Sequence, residues 1–224
     1  MSKSPDGPTL EYLKTIEFYE KIVADDPNNF EAWNRLAIAN MLANQRKLAI
    51  ECWKRALELK PKEPDVLNNL GTAFLEDGVV HEALALYRKA VAIAPEYIKA
   101  WQNLGEALLG QEKYEEAIEA FQEGLRSEPS RVDLKLLLAQ AYYSLSRWQD
   151  VLDILQNALE INNENDIAWY NKACVHARLG QVEDACKSLG KAIVFSGHWK
   201  RKARNDSDFD EVRSEDCIQR ILEE

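Results

Sequence analysis

The 224-residue sequence has no apolar run that approaches the roughly 18 residues needed to cross a bilayer, so we expect no membrane-spanning helix. Its first ten residues, MSKSPDGPTL, lack the apolar core of a secretory signal, and a cytoplasmic location is therefore expected. Glycine and proline are scarce, at nine and seven residues, while 46% of the sequence is hydrophobic. This composition favours a soluble, folded chain.

Cysteine and histidine are also few. The four cysteines, Cys52, Cys174, Cys186 and Cys217, show none of the C-x-x-C spacings of zinc or redox sites, so we expect reduced thiols. The three histidines are His81, His176 and His198. Cys174 and His176 are two positions apart and would point to different faces of a helix, which disfavours a shared ligand or a nucleophile with its base. We therefore predict no enzymatic activity, no catalytic residue, no metal and no cofactor.

The charge balance limits the partners. The formal net charge is −10, whereas binding to phosphate groups depends on clustered Lys and Arg, so nucleic acid or an anionic membrane is not the expected main partner. One basic cluster lies beside Trp199 and comprises Lys200, Arg201, Lys202 and Arg204. It leaves RNA binding through the tail as an alternative, although a short basic run in an acidic protein is more often a solvated helix face.

A set of landmark residues recurs every 34 positions. In the third copy these are Trp101, Leu104, Gly105, Leu108, Ala117, Phe121, Gly124 and Pro129. Two earlier copies begin at Trp33 and Leu67, and two degraded later copies begin at Lys135 and Trp169. The first landmarks of each copy fall at offsets 0, 3, 4 and 7, which is one face of a helix, and the later ones define a second helix. Each copy therefore predicts a helical hairpin.

Small residues and prolines support the hairpin interpretation. Gly105 and Ala117, like Gly71 and Ala83, stand where the two helices should cross, and small side chains let the backbones approach closely. A proline near the end of the first three copies cannot continue a helix and separates one hairpin from the next. Asn163 and Gly197 replace it in the last two copies.

These residues resemble the tetratricopeptide repeat family, whose W-x2-L-G-x2-Y…A-x3-F…P pattern has this period. The resemblance implies an all-α, right-handed solenoid of stacked hairpins. The predicted ranges are a disordered lead (1–9), an N-terminal half-repeat helix (10–29), five hairpins (30–63, 64–97, 98–131, 132–165 and 166–199) and a C-terminal helical cap (200–224). The cap should cover the apolar face that the last hairpin would otherwise expose.

The tail is similar to the sequence R…A…D-x-DFD-x-[IV]-R…L that ends many bacterial members of this family. Its apolar positions Phe209, Val212, Ile218 and Leu222 favour packing against the last hairpin. The aspartates Asp206, Asp208 and Asp210 also suggest the start of a calcium loop. Glu211 stands where that loop needs glycine and Cys217 where it needs glutamate, so a helix cap is the favoured interpretation.

The resemblance also implies that partner peptides bind on the concave face, which first helices line at fixed offsets. We divide the candidate residues into a polar patch of Asn69, Lys99 and Asn103 and an apolar patch of Leu136, Tyr143, Ile167 and Tyr170, with Asn171 beside it. Chaperone-binding members clamp a carboxylate with five residues, of which only Asn69 and Lys99 match here. An asparagine ladder is the alternative, because Asn69, Asn103 and Asn171 occupy equivalent positions.

The predicted function is non-catalytic protein binding, as a scaffold or assembly factor, with a partner segment oriented by Asn69 and Asn103 and anchored near Tyr143 and Tyr170. Two alternatives are a co-chaperone or regulatory subunit of an enzyme complex, and RNA binding through the basic tail. The apolar patch could instead be filled by the tail or by a second copy of the chain, since exposed apolar patches are often covered.

Overall fold

A computed structural model describes residues 7–223, with side chains from residue 11 onwards. The described chain is helical throughout and contains no strand. The helices are α1 (Gly7–Asp25), α2 (Phe30–Leu42), α3 (Arg46–Leu59), α4 (Pro64–Glu76), α5 (Val80–Ile93), α6 (Ile98–Gly110), α7 (Tyr114–Ser127), α8 (Val132–Ser144), α9 (Trp148–Ile161), α10 (Asp166–Arg178), α11 (Val182–Phe195), α12 (His198–Asn205) and α13 (Asp216–Glu223). Within these residues, no helix combines the length and apolar character that crossing a bilayer requires.

The chain forms two compact units, one ending at Gln111 and the other beginning at Glu112. The first contains α1 to α6 and the second α7 to α13. Helix α1 begins at Gly7, so residues 7–9 of the predicted disordered lead are helical, while residues 1–6 lie outside the described residues. The division into a half-repeat, five hairpins and a cap stays a prediction.

Close helix crossings in the first unit depend on small residues. Ala37 and Ala49 are fully buried in the first hairpin, as are Ala73 and Ala83 in the second. At Gly71, an added Cβ would lie 2.8 Å from the Tyr87 ring, a distance that side chains do not tolerate without a shift. The glycine therefore makes room for the aromatic landmark of the facing helix.

The turn inside each hairpin also repeats every 34 residues. Asn44, Gly78, Glu112, Ser146 and Gly180 all have positive φ values, between 55° and 79°. The left-handed region is easy for glycine and tolerable for asparagine, but it strains Glu112 and Ser146. The backbone of the hairpin is thus retained even where the residue type is unfavourable.

Three tryptophans bind the chain segment that precedes their helix. The indole N–H groups of Trp33, Trp101 and Trp169 donate to the carbonyl oxygens six residues earlier, at 2.9, 2.9 and 2.8 Å. In the first two cases the acceptor is a proline carbonyl, and in the third it is that of Asn163. The bond needs only a backbone carbonyl, which explains why Asn163 can replace proline.

The core of the second unit continues into the tail. Leu155 and Leu189 are fully buried in its hairpins, and Phe209, Ile218 and Ala203 of the tail are buried to the same degree. The segment Ser207–Phe209 forms a single 3-10 turn that packs on α10, while α13 packs on α11. The tail is therefore part of the second unit's core.

Candidate functional site

The polar patch lies on α4 and α6, which pack side by side in the first unit. Lys99 is exposed, and Asn69 and Asn103 are half-buried. Among the described residues, the Asn69 side chain makes no hydrogen bond and Lys99 makes no ion pair. Both side chains are therefore available to an external group.

A hydrogen-bond network holds the Asn103 side chain in place. Its Nδ2 donates to Asn68 Oδ1 at 2.8 Å and more weakly to Thr72 Oγ1 at 3.4 Å. Thr72 Oγ1 also lies 3.1 Å from the Tyr87 hydroxyl, and burial of that hydroxyl raises the pKa of Tyr87. Because the Asn103 N–H groups donate within the protein, its Oδ1 is held in a fixed orientation and can accept a hydrogen bond from a partner. Asn68 also occupies an offset of the concave face, but spacing could not show that its side chain is buried and accepts a hydrogen bond from Asn103.

The apolar patch of the second unit is only partly at the surface. Ile167 is 43% exposed, and Leu136 and the neighbouring Asn171 are half-buried. The Tyr143 ring meets Trp148 edge-on at 5.0 Å, and its hydroxyl is buried without a hydrogen-bond partner among the described residues. Burial, followed by the nearby Asp208 carboxylate, raises the pKa of Tyr143. Leu136 and Ile167 are thus the accessible apolar members of the patch.

Tyr170 is not accessible, and its prediction as an exposed anchor is wrong. Its side chain is 1% exposed because the tail covers it. The Tyr170 ring stacks on Trp199 at 4.2 Å, and its hydroxyl donates to Asp206 Oδ2 at 2.7 Å. Burial and then the hydrogen bond to Asp206 raise the pKa of Tyr170. In the structure the tail fills this part of the apolar patch, which was the alternative to partner binding.

Further contacts attach the tail to α10. Trp199 Nε1 donates to Asp166 Oδ2 at 2.8 Å, which ties α12 to the first residue of α10. Lys202 Nζ lies 4.9 Å from the centroid of the Tyr170 ring, and Arg178 pairs with Asp208 at 3.3 Å. The aspartates of the tail therefore serve as partners for α10.

Arg213 organises the turn that carries these aspartates. Its guanidinium donates to the backbone carbonyls of Ala203, Arg204 and Asp206 and to the carboxylate of Asp210. One arginine thereby satisfies three carbonyls at the end of α12. The sequence motif contains this arginine, but its role could not be assigned from spacing alone.

Cys174, Asp206 and Asp208 form a cluster whose ligand atoms lie within 4.8 Å of one another. Its residues fit a metal ion poorly. Asp206 already accepts the Tyr170 hydroxyl, Asp208 is paired with Arg178, and burial followed by these carboxylates raises the pKa of the Cys174 thiol. A cation would have to displace existing partners and deprotonate the thiol.

Two of the four residues in the basic cluster are engaged within the protein. Lys202 lies over aromatic rings, and the Arg204 guanidinium donates to the carbonyl of Leu222. These contacts give Lys202 and Arg204 a structural role within the second unit. His176 is likewise occupied, since its Nδ1 lies 2.6 Å from Gln181 Oε1.

Comparison with family models identifies the repeats. A model described as "Tetratricopeptide repeat" matches residues 74–141 and 108–154, a second described as "TPR repeat" matches residues 41–78, and a third, again "Tetratricopeptide repeat", matches residues 167–193. The matched residues, 41–154 and 167–193, lie in both units.

Curated relatives match only part of the chain. The peroxisomal targeting signal receptor of Saccharomyces cerevisiae is 33% identical over 73 residues, which is 33% of this chain and 12% of the receptor. The photosystem I assembly protein Ycf3 of Synechococcus is 30% identical over 82 residues, which is 37% of this chain and 47% of that protein. The matches thus span less than half the length of these relatives.

Solved structures share the fold at low sequence identity. The crystal structure of YrrB, a TPR protein with an unusual peptide-binding site, has a TM-score of 0.72 at 18% identity and covers 85% of this chain and 100% of that one. MamA has a TM-score of 0.69 at 20% identity, covering 75% and 97%. PilF of Pseudomonas aeruginosa has a TM-score of 0.69 at 21% identity, covering 92% and 94%. These similarities show an α-helical repeat solenoid fold.

Proposed function

Because the chain belongs to the tetratricopeptide repeat family, we propose that it acts as a non-catalytic scaffold or assembly factor that binds an extended partner segment at the polar patch. The fold and the relatives support a role in protein interaction or assembly. One of those relatives is an assembly protein, another is a targeting-signal receptor, and a structural neighbour has a peptide-binding site. Membership of the fold leaves the partner open, so the local chemistry carries the finer proposal.

The observation that carries this proposal is that the polar patch combines one side-chain amide without internal hydrogen bonds, Asn69, with one that internal hydrogen bonds hold in place, Asn103. Asn69 offers both a donor and an acceptor, and Asn103 presents Oδ1 from a fixed position. An extended peptide exposes backbone N–H and C=O groups that match these atoms. Lys99, which is on the same helix as Asn103, would favour a carboxylate or an acidic side chain in the partner segment.

In the second unit, Leu136 and Ile167 provide a separate apolar contact surface, with Asn171 beside them. Tyr143 contributes its half-buried ring, whereas Tyr170 has no role in partner binding while the tail covers it. We infer an anchoring role for Leu136 and Ile167 from their exposure alone. The cytoplasmic location stays a prediction, and pairing with a second copy of the chain stays an alternative.

Peptides selected from a random phage-displayed library on the wild-type protein provide a direct test. Asn69→Ala should weaken the selected peptides about tenfold, because loss of one to two hydrogen bonds costs about 1 to 2 kcal/mol. The substitution breaks no internal hydrogen bond, so melting should be unchanged. Lys89→Ala, an exposed position on α5, is the matched control and should bind like wild type.

Asn103→Ala should weaken binding as well but also lower stability, because Asn68 Oδ1 loses the hydrogen bond from Asn103 and Thr72 Oγ1 loses a weaker one. Isothermal titration calorimetry and thermal melts of both variants separate the two effects. Selected peptides that bind Asn69→Ala and Asn103→Ala as tightly as wild type would place the binding surface elsewhere.

A further inference from the structure

A pocket of about 570 Å³ lies in the first unit between α1, α2 and α3. Its volume is within the range of about 300–1,000 Å³ that is typical of ligand sites. Most of its lining is apolar and comes from Val23, Ala24, Trp33, Leu36, Leu48 and Cys52. These residues are distinct from the polar patch on α4 and α6, so the pocket is a separate feature.

The repeat pattern explains why a pocket exists at this place. Asn40 lines it and occupies a landmark position that holds Phe74 in the next copy and Tyr142 in the fourth. The Phe74 ring packs between helices with Lys54 Nζ 5.4 Å from its centroid. Asparagine is too short to fill the same space in the first copy. The pocket therefore lies where the repeat normally places a ring.

Asn40 also leaves a buried acceptor without a partner. The residue is 2% exposed, and its Nδ2 donates to the Leu36 carbonyl at 2.9 Å. In this orientation of the amide, Oδ1 is buried with no hydrogen bond among the described residues. Buried polar atoms without partners are rare in native proteins and call for an explanation. A bound group with an N–H donor would supply the missing partner.

The rim of the pocket carries negative charge. Glu20 and Glu51 line it, and neither makes an ion pair within the described part of the chain. Arg55, the cation in the lining, is already paired with Glu58 at 2.5 Å. A positively charged group at the rim would therefore be favoured over an anion.

We propose that this pocket binds a tryptophan side chain adjacent to a lysine or arginine in a partner segment. The indole ring occupies the volume that Asn40 leaves open, and its N–H donates to Asn40 Oδ1 after a small rotation of the amide. The neighbouring cation lies near Glu20 and Glu51. This second site lets the protein hold a basic partner independently of the polar patch.

Tryptamine, which joins an indole to an ammonium group, is a suitable probe for the ¹⁵N-labelled full chain. Nuclear magnetic resonance titration should show saturable shifts at Asn40, Leu48 and Cys52. Indole-3-propionate, which carries a carboxylate instead, should bind at least tenfold more weakly. A short Trp-Lys peptide should likewise bind more tightly than a Trp-Glu peptide.

Asn40→Phe restores the ring of the repeat and should abolish tryptamine binding while retaining the helical circular dichroism spectrum. Glu51→Gln provides a milder test that leaves the pocket open: tryptamine should weaken several-fold and indole-3-propionate should not. Asn69→Ala, outside the pocket, should bind tryptamine like wild type.

Three results with the indole probes would overturn the proposal. These are the absence of saturable shifts at millimolar tryptamine, equal binding of the two indole probes, and shifts that persist in Asn40→Phe. Self-association of the wild type that Asn40→Phe eliminates in sedimentation experiments would assign the pocket to a second copy of the chain and would also refute it.

Discussion

Phe209→Ala should detach the tail from the second unit. Phe209 is fully buried, and its ring centroid lies 6.1 Å from that of Tyr170, within the cluster that also contains Trp199 and Ile218. Truncation of a buried phenylalanine costs about 3–5 kcal/mol, which includes the cavity that it leaves. Segments at the end of a repeat array open at lower free energy than the core, so a loss of this size should be enough to open α12 and α13.

Hydrogen exchange and chemical denaturation measure this effect together. Amides of α12 and α13 should lose protection in Phe209→Ala, while those of α8 and α9 should change little. Phe195→Ala is the matched control, because Phe195 is in the same unit and is 39% exposed. Its cost should be about 1 kcal/mol or less, as for other surface truncations. Equal denaturation curves and equal tail protection for the two variants would refute the structural role of the tail.

Two further substitutions test the packing of the first unit. Gly71→Ala should destabilise the protein by about 1–3 kcal/mol in urea denaturation, because its Cβ would meet the Tyr87 ring at 2.8 Å. The control Gly110→Ala should be neutral or stabilising, because its Cβ would meet nothing within 4 Å. Burial, and then two nearby carboxylates, raise the pKa of Cys52 from 9.0 to about 11. The protonated thiol therefore stabilises the folded state fully below pH 9, and this contribution is lost as the pH rises towards 11. Cys52→Ala should therefore show a shallower loss of stability than wild type between pH 9 and 11, and parallel pH profiles would contradict the shifted pKa.

The hairpin repeat could be predicted from sequence because its causes are local. Helix faces repeat every three to four residues, and landmarks such as Gly71 and Ala83 mark crossings within one hairpin. The 34-residue period also extends to features that the residue pattern hides. Glu112 and Ser146 adopt the left-handed turn conformation although their residue types do not suggest it.

The accessible surface was harder to predict because it depends on distant segments. Tyr170 occupies a binding offset of the family, yet its partner Asp206 lies 36 residues later in the chain. Spacing cannot show that the tail returns across α10. Similarly, Asn40 could be recognised as a degraded landmark, but only the structure shows that the missing ring leaves a pocket and an unpartnered acceptor.

The proposed partner segment binds through the side-chain amides of the polar patch. The most direct measurement is a ¹⁵N chemical-shift titration of the wild-type protein with a library-selected peptide, followed at the side-chain amides of Asn69 and Asn103. These two resonances, with the backbone amide of Lys99, should undergo the largest saturable shifts. Unchanged Asn69 and Asn103 resonances, with the shifts clustered on α3 or α5 instead, would contradict it.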